Sequence, residues 1–304
     1  MITGHKHNQT GSPMKTDLVG ASIPSLNEFY TRDRGVIQRG DQGTAVKLLQ
    51  EWLCLHGFPT ACDGQFGPAT QAALNAWRSS LTLMPSQELP IVPVGITNVK
   101  VDYSLWDALW QPMTTGLRRL PQRAAQAPSN VNLVPCTALE FARQHLAAGA
   151  RELGINQGPW VRLYMSTDPV IGVEDKWCMA FVNFCVKQAI IQIREDVGYS
   201  ERSLLWPGPA WSCDLVAEWA DDHHLLHRVP NDEVVVPGSV FLINRSEHDW
   251  IHAGFVVSYD HVNGTVQTIE GNTSPSGSTD GGAVHRRFRA VHNMHFITGY
   301  GSEV

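Results

Sequence analysis

Apolar residues recur at helical spacing in several separate stretches. The densest lies mid-chain, where Cys178, Phe181, Val182, Cys185 and Ala189 follow Asp175-Lys176-Trp177 at intervals of three and four. Such spacing stacks side chains on one helical face, and Asp175 is suited to cap the N-terminus. Ala45, Val46, Leu49, Trp52 and Leu53 form another face ending before Gly57, and Ala69, Ala73, Leu74 and Trp77 form a third behind Pro68. Proline fits the first helical position because its missing N–H would be unpaired there anyway. Asp63-Gly64-Gln65-Phe66-Gly67 between the two is a tight turn. Thr137-Ala138-Leu139-Glu140 has capping-box spacing, which predicts a helix from there to about Leu153, stopped by Gly154. Trp211, Leu215, Val216 and Trp219 share a face of one more.

Past Pro237 the period changes to that of strands. Val240 to Ile243, Asp249 to Ser258, Thr265 to Asn272, Val284 to Phe288 and His295 to Thr298 are short β-type runs. Together they predict an antiparallel meander or partial barrel. Paired residues in an antiparallel hairpin have a constant index sum, so His252 shares a face with Glu270 and Asn272 only if that sum is even. A strict two-residue turn at Asn263-Gly264 makes it odd. If the three are to meet, the hairpin needs an odd-length connection or a bulge, such as the three-residue form with Gly264 left-handed.

A cysteine on an apolar face is ordinarily a small buried hydrophobe. Cys178, however, falls in the first turn of its helix, where free N–H groups and the helix dipole favour a thiolate. Cys185, two turns further in, gains nothing of the kind. A thiolate attacking an acyl carbon needs an imidazole for its proton, and the imidazole needs a carboxylate or amide to orient it. Cys178, His252 and Glu270 or Asn272 are those residue types.

Trp177-Cys178-Met179-Ala180-Phe181-Val182, His252-Ala253-Gly254-Phe255-Val256-Val257 and Ile269-Glu270-Gly271-Asn272-Thr273, in that order, resemble the CHAP family of papain-like cysteine amidases and peptidases that cut bacterial peptidoglycan. The likeness covers roughly residues 137 to 300, with Ile251 standing where many relatives have glycine. It implies Cys178 as nucleophile, His252 as general base, Glu270 as its orienting partner and Asn272 as a second polar support. Further upstream, Gly40-Asp41-Gln42-Gly43, Leu48-Leu49-Gln50, Gly57, Asp63 to Gly67 and Thr70 to Leu74 resemble the small helical peptidoglycan-binding domain of wall hydrolases. By that resemblance Val101 to Leu109 returns as the closing helix after an insertion. Trp177, Gln65 and Phe66 are candidates for substrate contact, though turn geometry alone accounts for Asp63, Gly64 and Gly67.

The expected class is therefore α+β: a papain-like CHAP domain with helices packed on an antiparallel sheet, preceded by a small all-α domain. The boundaries are a flexible leader over 1–33, the helical domain over 34–112, a proline-rich linker over 113–136 that couples the domains loosely, and the CHAP domain over 137–304. The 304 residues are 43% hydrophobic with a formal net charge of -6, enough for two cores and without the basic, aromatic-interleaved face of a nucleic-acid binder. Six cysteines are too few for a disulfide scaffold, and two separate thiols are expected at Cys54 and Cys62 unless the compartment is oxidising. Asp221-Asp222-His223-His224 and His227 fit no defined ligand set and read as a solvated helix end, while His5 and His7 in the leader read as part of a solvated tail. Neither metal nor cofactor is expected.

No stretch is long and apolar enough to span a membrane, and Met1 to Leu26 lacks the features of a secretory signal. The expectation is a monomeric peptidoglycan hydrolase made in the cytoplasm that reaches the periplasm or wall by host lysis, as a lysin, or through a secretion system such as type VI, as an antibacterial effector. An effector would need an immunity partner. The competing readings are an inactive wall-binding protein and a papain-like acyltransferase.

Overall fold

The computed structural model describes residues 17–19, 36–81, 99–121, 132–166, 175–197, 206–207, 211–276 and 281–302. The leader other than Asp17 to Val19, with His5 and His7, lies outside them.

Among the described residues, three helices build the N-terminal unit: α1 (Thr44–Leu55), α2 (Pro68–Leu81) and α3 (Tyr103–Leu117). Leu49, Trp52, Leu53, Leu74 and Trp77 meet in its core. Ala69 is exposed and Thr70 takes the inward place, drawn there by Gln50, whose Nε2 donates to Thr70 Oγ1 at 2.9 Å. Gln50 organises the whole turn. Its amide also donates to Asp63 Oδ1 at 2.9 Å and the Gln65 carbonyl at 3.0 Å, and accepts from Gly64 N–H at 2.8 Å. A buried amide with every bond made is costly to remove, because the groups left behind stay desolvated. Gln50→Leu should lower stability by about 3 kcal/mol, read as a melting point lower by about 6 °C. A shift under about 2 °C would mean that the turn holds itself without Gln50.

The second unit contains α4 (Val134–Ala147), α5 (Pro159–Met165), α6 (Cys178–Val197) and α7 (Cys213–Asp222), followed by β1 (Leu226–His227), β2 (Val240–Ser246), β3 (Asp249–Asp260), β4 (Thr265–Thr273), β5 (Ala283–Ala290) and β6 (Met294–Ile297). The sheet order is β1-β6-β2-β3-β4-β5 with every neighbour antiparallel. The chain is thus α+β: β2 to β5 form a meander, and β6 returns along the free edge of β2. Ala253, Phe255 and Ile269 join the large core beneath the helices, while Phe241, Val256, Val266, Met294 and Phe296 make a smaller one.

Several boundaries differ from expectation. α4 begins at Val134 with Pro135 in its first turn and ends at Ala147, before Gly149 at φ 69. The capping-box pattern pointed three residues too late because a proline suited to the first turn was taken for linker. α3 runs through Pro112 to Leu117, so both ends of the supposed linker are helical. On α7 the buried face is Cys213, Val216, Ala217 and Ala220, and Leu215 is 55% exposed. Small side chains, not the large ones, face the sheet.

The two units are also not loosely coupled. One continuous apolar cluster runs from Leu18 to Tyr300, the Trp52 and Trp160 rings meet edge-on at 6.5 Å, and Arg162 pairs through both nitrogens with Glu51, Nη1 to Oε1 at 3.1 Å. Arg151 donates to the Leu55 carbonyl. Within the supposed leader, Val19 N–H bonds the Leu117 carbonyl at 2.8 Å, and Leu18 and Val19 are buried.

Candidate active site

Helix α6 starts at Cys178 itself. The Trp177 carbonyl accepts the first intrahelical bond from Phe181 N–H at 2.9 Å, so Trp177 holds the cap position, while the Asp175 carboxylate accepts from Lys176 N–H at 2.6 Å. Cys178 therefore sits in the turn whose N–H groups lack helical partners. The helix comes down on β4 at Gly271, where a Cβ would lie 2.7 Å from Phe181 Cβ and 2.9 Å from Trp177 Cζ3. Only glycine lets the strand approach this closely.

The hairpin meets the parity condition. Asp260 pairs with Thr265 and Tyr259 with Val266, an odd sum; beyond a bulge at Val257, Val256 pairs with Thr268 and Phe255 with Ile269, an even sum. The connection spans four residues with Gly264 at φ 59, so the bulge alone makes the correction. As a result His252 Nε2 lies 2.9 Å from Glu270 Oε2, both groups fully buried. Gly254 makes room for the carboxylate between them, since a Cβ there would stand 2.9 Å from Glu270 Cγ.

Glu270 has three further bonds. Arg289 Nε donates to Oε1 and its Nη2 to Oε2, each at 2.6 Å, and Thr268 Oγ1 donates to Oε1 at 2.5 Å. Burial works against the charge, but Arg289 and His252 outweigh it and bring the Glu270 pKa down to about 2. Burial likewise opposes protonation of His252, yet Cys178 and Glu270 prevail and raise it to about 9. The Cys178 thiol is held well below its usual value, first by the thiol of Cys213, against burial, and then by His252 and the Ala253 N–H. His252 Nδ1, buried and without a well-aligned partner, is the ring nitrogen left for the sulfur.

Sequence reasoning missed Cys213, Arg289 and Thr268. Thr268 stands two before Glu270 on a strand, so alternation carried a signal. Arg289 required the β4–β5 register, in which it pairs with Val266. Cys213 Sγ lies 4.0 Å from Cys178 Sγ, and only the rotated face of α7 brings it there. Asn272 is buried in left-handed backbone, φ 51, with neither amide atom hydrogen-bonded. The register is broken between Glu270 and Thr273, so plain alternation does not carry Glu270's face to Asn272.

Of the substrate-contact candidates, Phe66 (2% exposed) and Trp177 (0%) are core residues, and Gln65 alone is exposed. Trp177 stacks on Tyr164 at 5.4 Å and donates Nε1–H to Glu152 Oε2 at 3.2 Å. Asn156 and Gln157 belong to a tight turn: Asn156 N–H bonds Glu152 Oε2 at 3.1 Å, and Gln157 exchanges backbone bonds with Leu153 and Gly154. The described cysteines are free thiols, Cys54 and Cys62 lying 3.9 Å apart. Asp221 pairs with Arg228 at the end of α7, and among the described residues no three His, Cys, Asp or Glu side chains are grouped to hold a metal ion.

Residues 44–83 match the family model described as a predicted peptidoglycan domain, which places a peptidoglycan-binding domain on α1, α2 and the Gln50-centred turn. A zinc D-Ala-D-Ala carboxypeptidase of Streptomyces albus G is 36% identical over 77 residues, covering 24% of this chain and 29% of that protein. The chain thus spans less than a third of that relative's length, and no solved structure matches. These matches support a cell-wall-related function with peptidoglycan as a binding partner. No helix among the described residues is long and apolar enough to cross a membrane.

Proposed function

We propose that this protein is a cysteine peptidoglycan hydrolase of the CHAP type, with residues 34–112 as wall-binding domain and 137–304 as catalytic domain. One observation carries the reading: a cysteine at a helix N-terminus beside a buried histidine whose far nitrogen is 2.9 Å from a carboxylate. The Cys178 thiolate attacks the carbon of an amide in the stem peptide or at its junction with the sugar, giving a tetrahedral oxyanion. The Cys178 N–H, in the first turn of its helix, supplies one donor to that charge. The His252 imidazolium then protonates the departing amine, leaving a thioester. Water, deprotonated by the same ring, attacks the thioester and frees the carboxylate. Glu270, kept charged by Arg289, holds the imidazole by Nε2 so that Nδ1 faces the sulfur.

The Streptomyces relative is a zinc enzyme, which sets the decisive comparison. Purified peptidoglycan is incubated with the protein, and the products are weighed by mass spectrometry after treatment with a chelator or with iodoacetamide. Product that survives the chelator and vanishes on alkylation supports the thiol mechanism; the reverse sinks it. The masses also name the bond, and transfer to an added amine in place of water would identify an acyltransferase. A lysin and a secreted effector would share this chemistry, while an immunity protein plugging the cleft belongs to the effector alone.

The working state is the ion pair of Cys178 thiolate and His252 imidazolium, so activity needs a pH above the lowered thiol pKa and below the raised imidazole pKa. Rates should rise on the acid side as the thiolate forms, hold through neutrality, and fall as His252 loses its proton at about pH 9. Both limbs belong to the pair. A profile that fell already at pH 7 would contradict the ion pair.

A further inference from the structure

Cys213, whose thiol helps hold the Cys178 thiolate, is also placed for a chemistry that the proposed hydrolysis does not use. It is the first residue of α7, as Cys178 is of α6, and the two helix starts bring their sulfurs to 4.0 Å. Both cysteines are buried, at 4% and 7% exposure, and neither is in a disulfide. α7 is anchored at this spot: Asp214 Oδ1 accepts from Trp250 N–H at 2.7 Å, tying the turn that carries Cys213 to the strand that carries His252. A sulfur–sulfur bond spans about 2.05 Å, so about 2 Å of travel separates the pair from a disulfide. Cys185, on the same helix as Cys178, is buried with its thiol pushed well up by desolvation.

We propose that Cys178 and Cys213 are a redox pair: under hydroperoxide they form a reversible disulfide that caps the nucleophile, with Cys213 as the resolving thiol. The Cys178 thiolate attacks one peroxide oxygen; the O–O bond breaks, leaving a sulfenic acid and hydroxide, which takes up a proton to become water. The Cys213 sulfur then attacks the sulfenic sulfur, the S–O bond breaks, and a second water leaves carrying the thiol proton. Two thiols have lost two electrons and the peroxide has gained them. A dithiol reverses the cap by exchange. The pair replaces an irreversible end, over-oxidation of a reactive thiolate to sulfinic or sulfonic acid, with a recoverable one.

The pairing follows from position alone, while its effect on wall cleavage rests on the hydrolase reading. The full-length protein is treated with hydrogen peroxide, its remaining thiols are alkylated, and its digest is mapped by mass spectrometry. The expected product joins the Cys178 and Cys213 peptides, lighter by two hydrogens than their sum. Peptidoglycan cleavage should drop at least about 10-fold and return with dithiothreitol. In Cys213→Ser, and in Cys213→Ala as a second variant, Cys178 should reach sulfinic or sulfonic acid, beyond rescue by the dithiol. Wild-type Cys178 over-oxidised beside an alkylated Cys213, or linked to any other cysteine, overturns the proposal. A disulfide in a protein that cuts no wall even when reduced sinks the hydrolase reading and leaves the pair standing. Cleavage without the disulfide does the opposite.

Discussion

Cys178→Ala should abolish release of soluble fragments from peptidoglycan, by about 10⁴-fold or more, while the protein still sediments with the wall. The sulfur has no substitute. Cys213 is the nearest other thiol, but its bond to Cys178 and its burial push its pKa well up, so it stays protonated at neutral pH. His252 and Glu270 without the thiolate can at best activate water in a site shaped for a covalent step. Retained sedimentation separates chemistry from anchoring, because residues 44–83 lie outside the change. If the variant kept a tenth of the wild-type rate, the nucleophile would have to be sought elsewhere, whereas loss of sedimentation too would point to misfolding.

Gly254→Ala should be nearly as damaging through a different route. The added methyl would sit 2.7 Å from the Ile269 carbonyl oxygen, 2.8 Å from Phe241 Cε1 and 2.9 Å from Glu270 Cγ. The carbonyl belongs to the β3–β4 ladder and cannot withdraw without breaking it. Phe241 is fully buried, and Glu270 is held by His252, Thr268 and Arg289. Overpacking of this kind should cost about 4 kcal/mol, a melting point lower by about 8 °C. Wall cleavage measured well below that temperature should fall further than the stability loss explains, since relief of the clash moves Glu270 off His252. Unchanged melting together with unchanged cleavage would show that the carboxylate does not depend on this gap.

Much of the site was legible because its parts are local. A helix start marks Cys178, a strand pattern marks His252 and Glu270, and pairing arithmetic demands an irregularity between them. The arithmetic could not say where: the bulge fell at Val257, within β3, and not at Asn263-Gly264. What stayed hidden depends on contacts distant in sequence. Arg289 reaches Glu270 only once the β4–β5 register is known, and Cys213 reaches Cys178 only because α7 turns its small residues inward. The junction between the two units was misread for the same reason. Glu51 and Arg162 are ordinary surface-type residues in sequence, and nothing near either announces the other, although Glu51 is buried in their pairing.

That junction gives the proposed enzyme a geometry of its own. A catalytic domain on a slack tether sweeps a sphere of bonds around its anchor. Here the Glu51–Arg162 pair and the shared core leave the helical module no such play, so wherever it grips the polymer the nucleophile stands at one set offset, like the second leg of a pair of dividers. Reaching the next bond then means letting go and stepping, which ties the pace of cutting to how fast the grip releases.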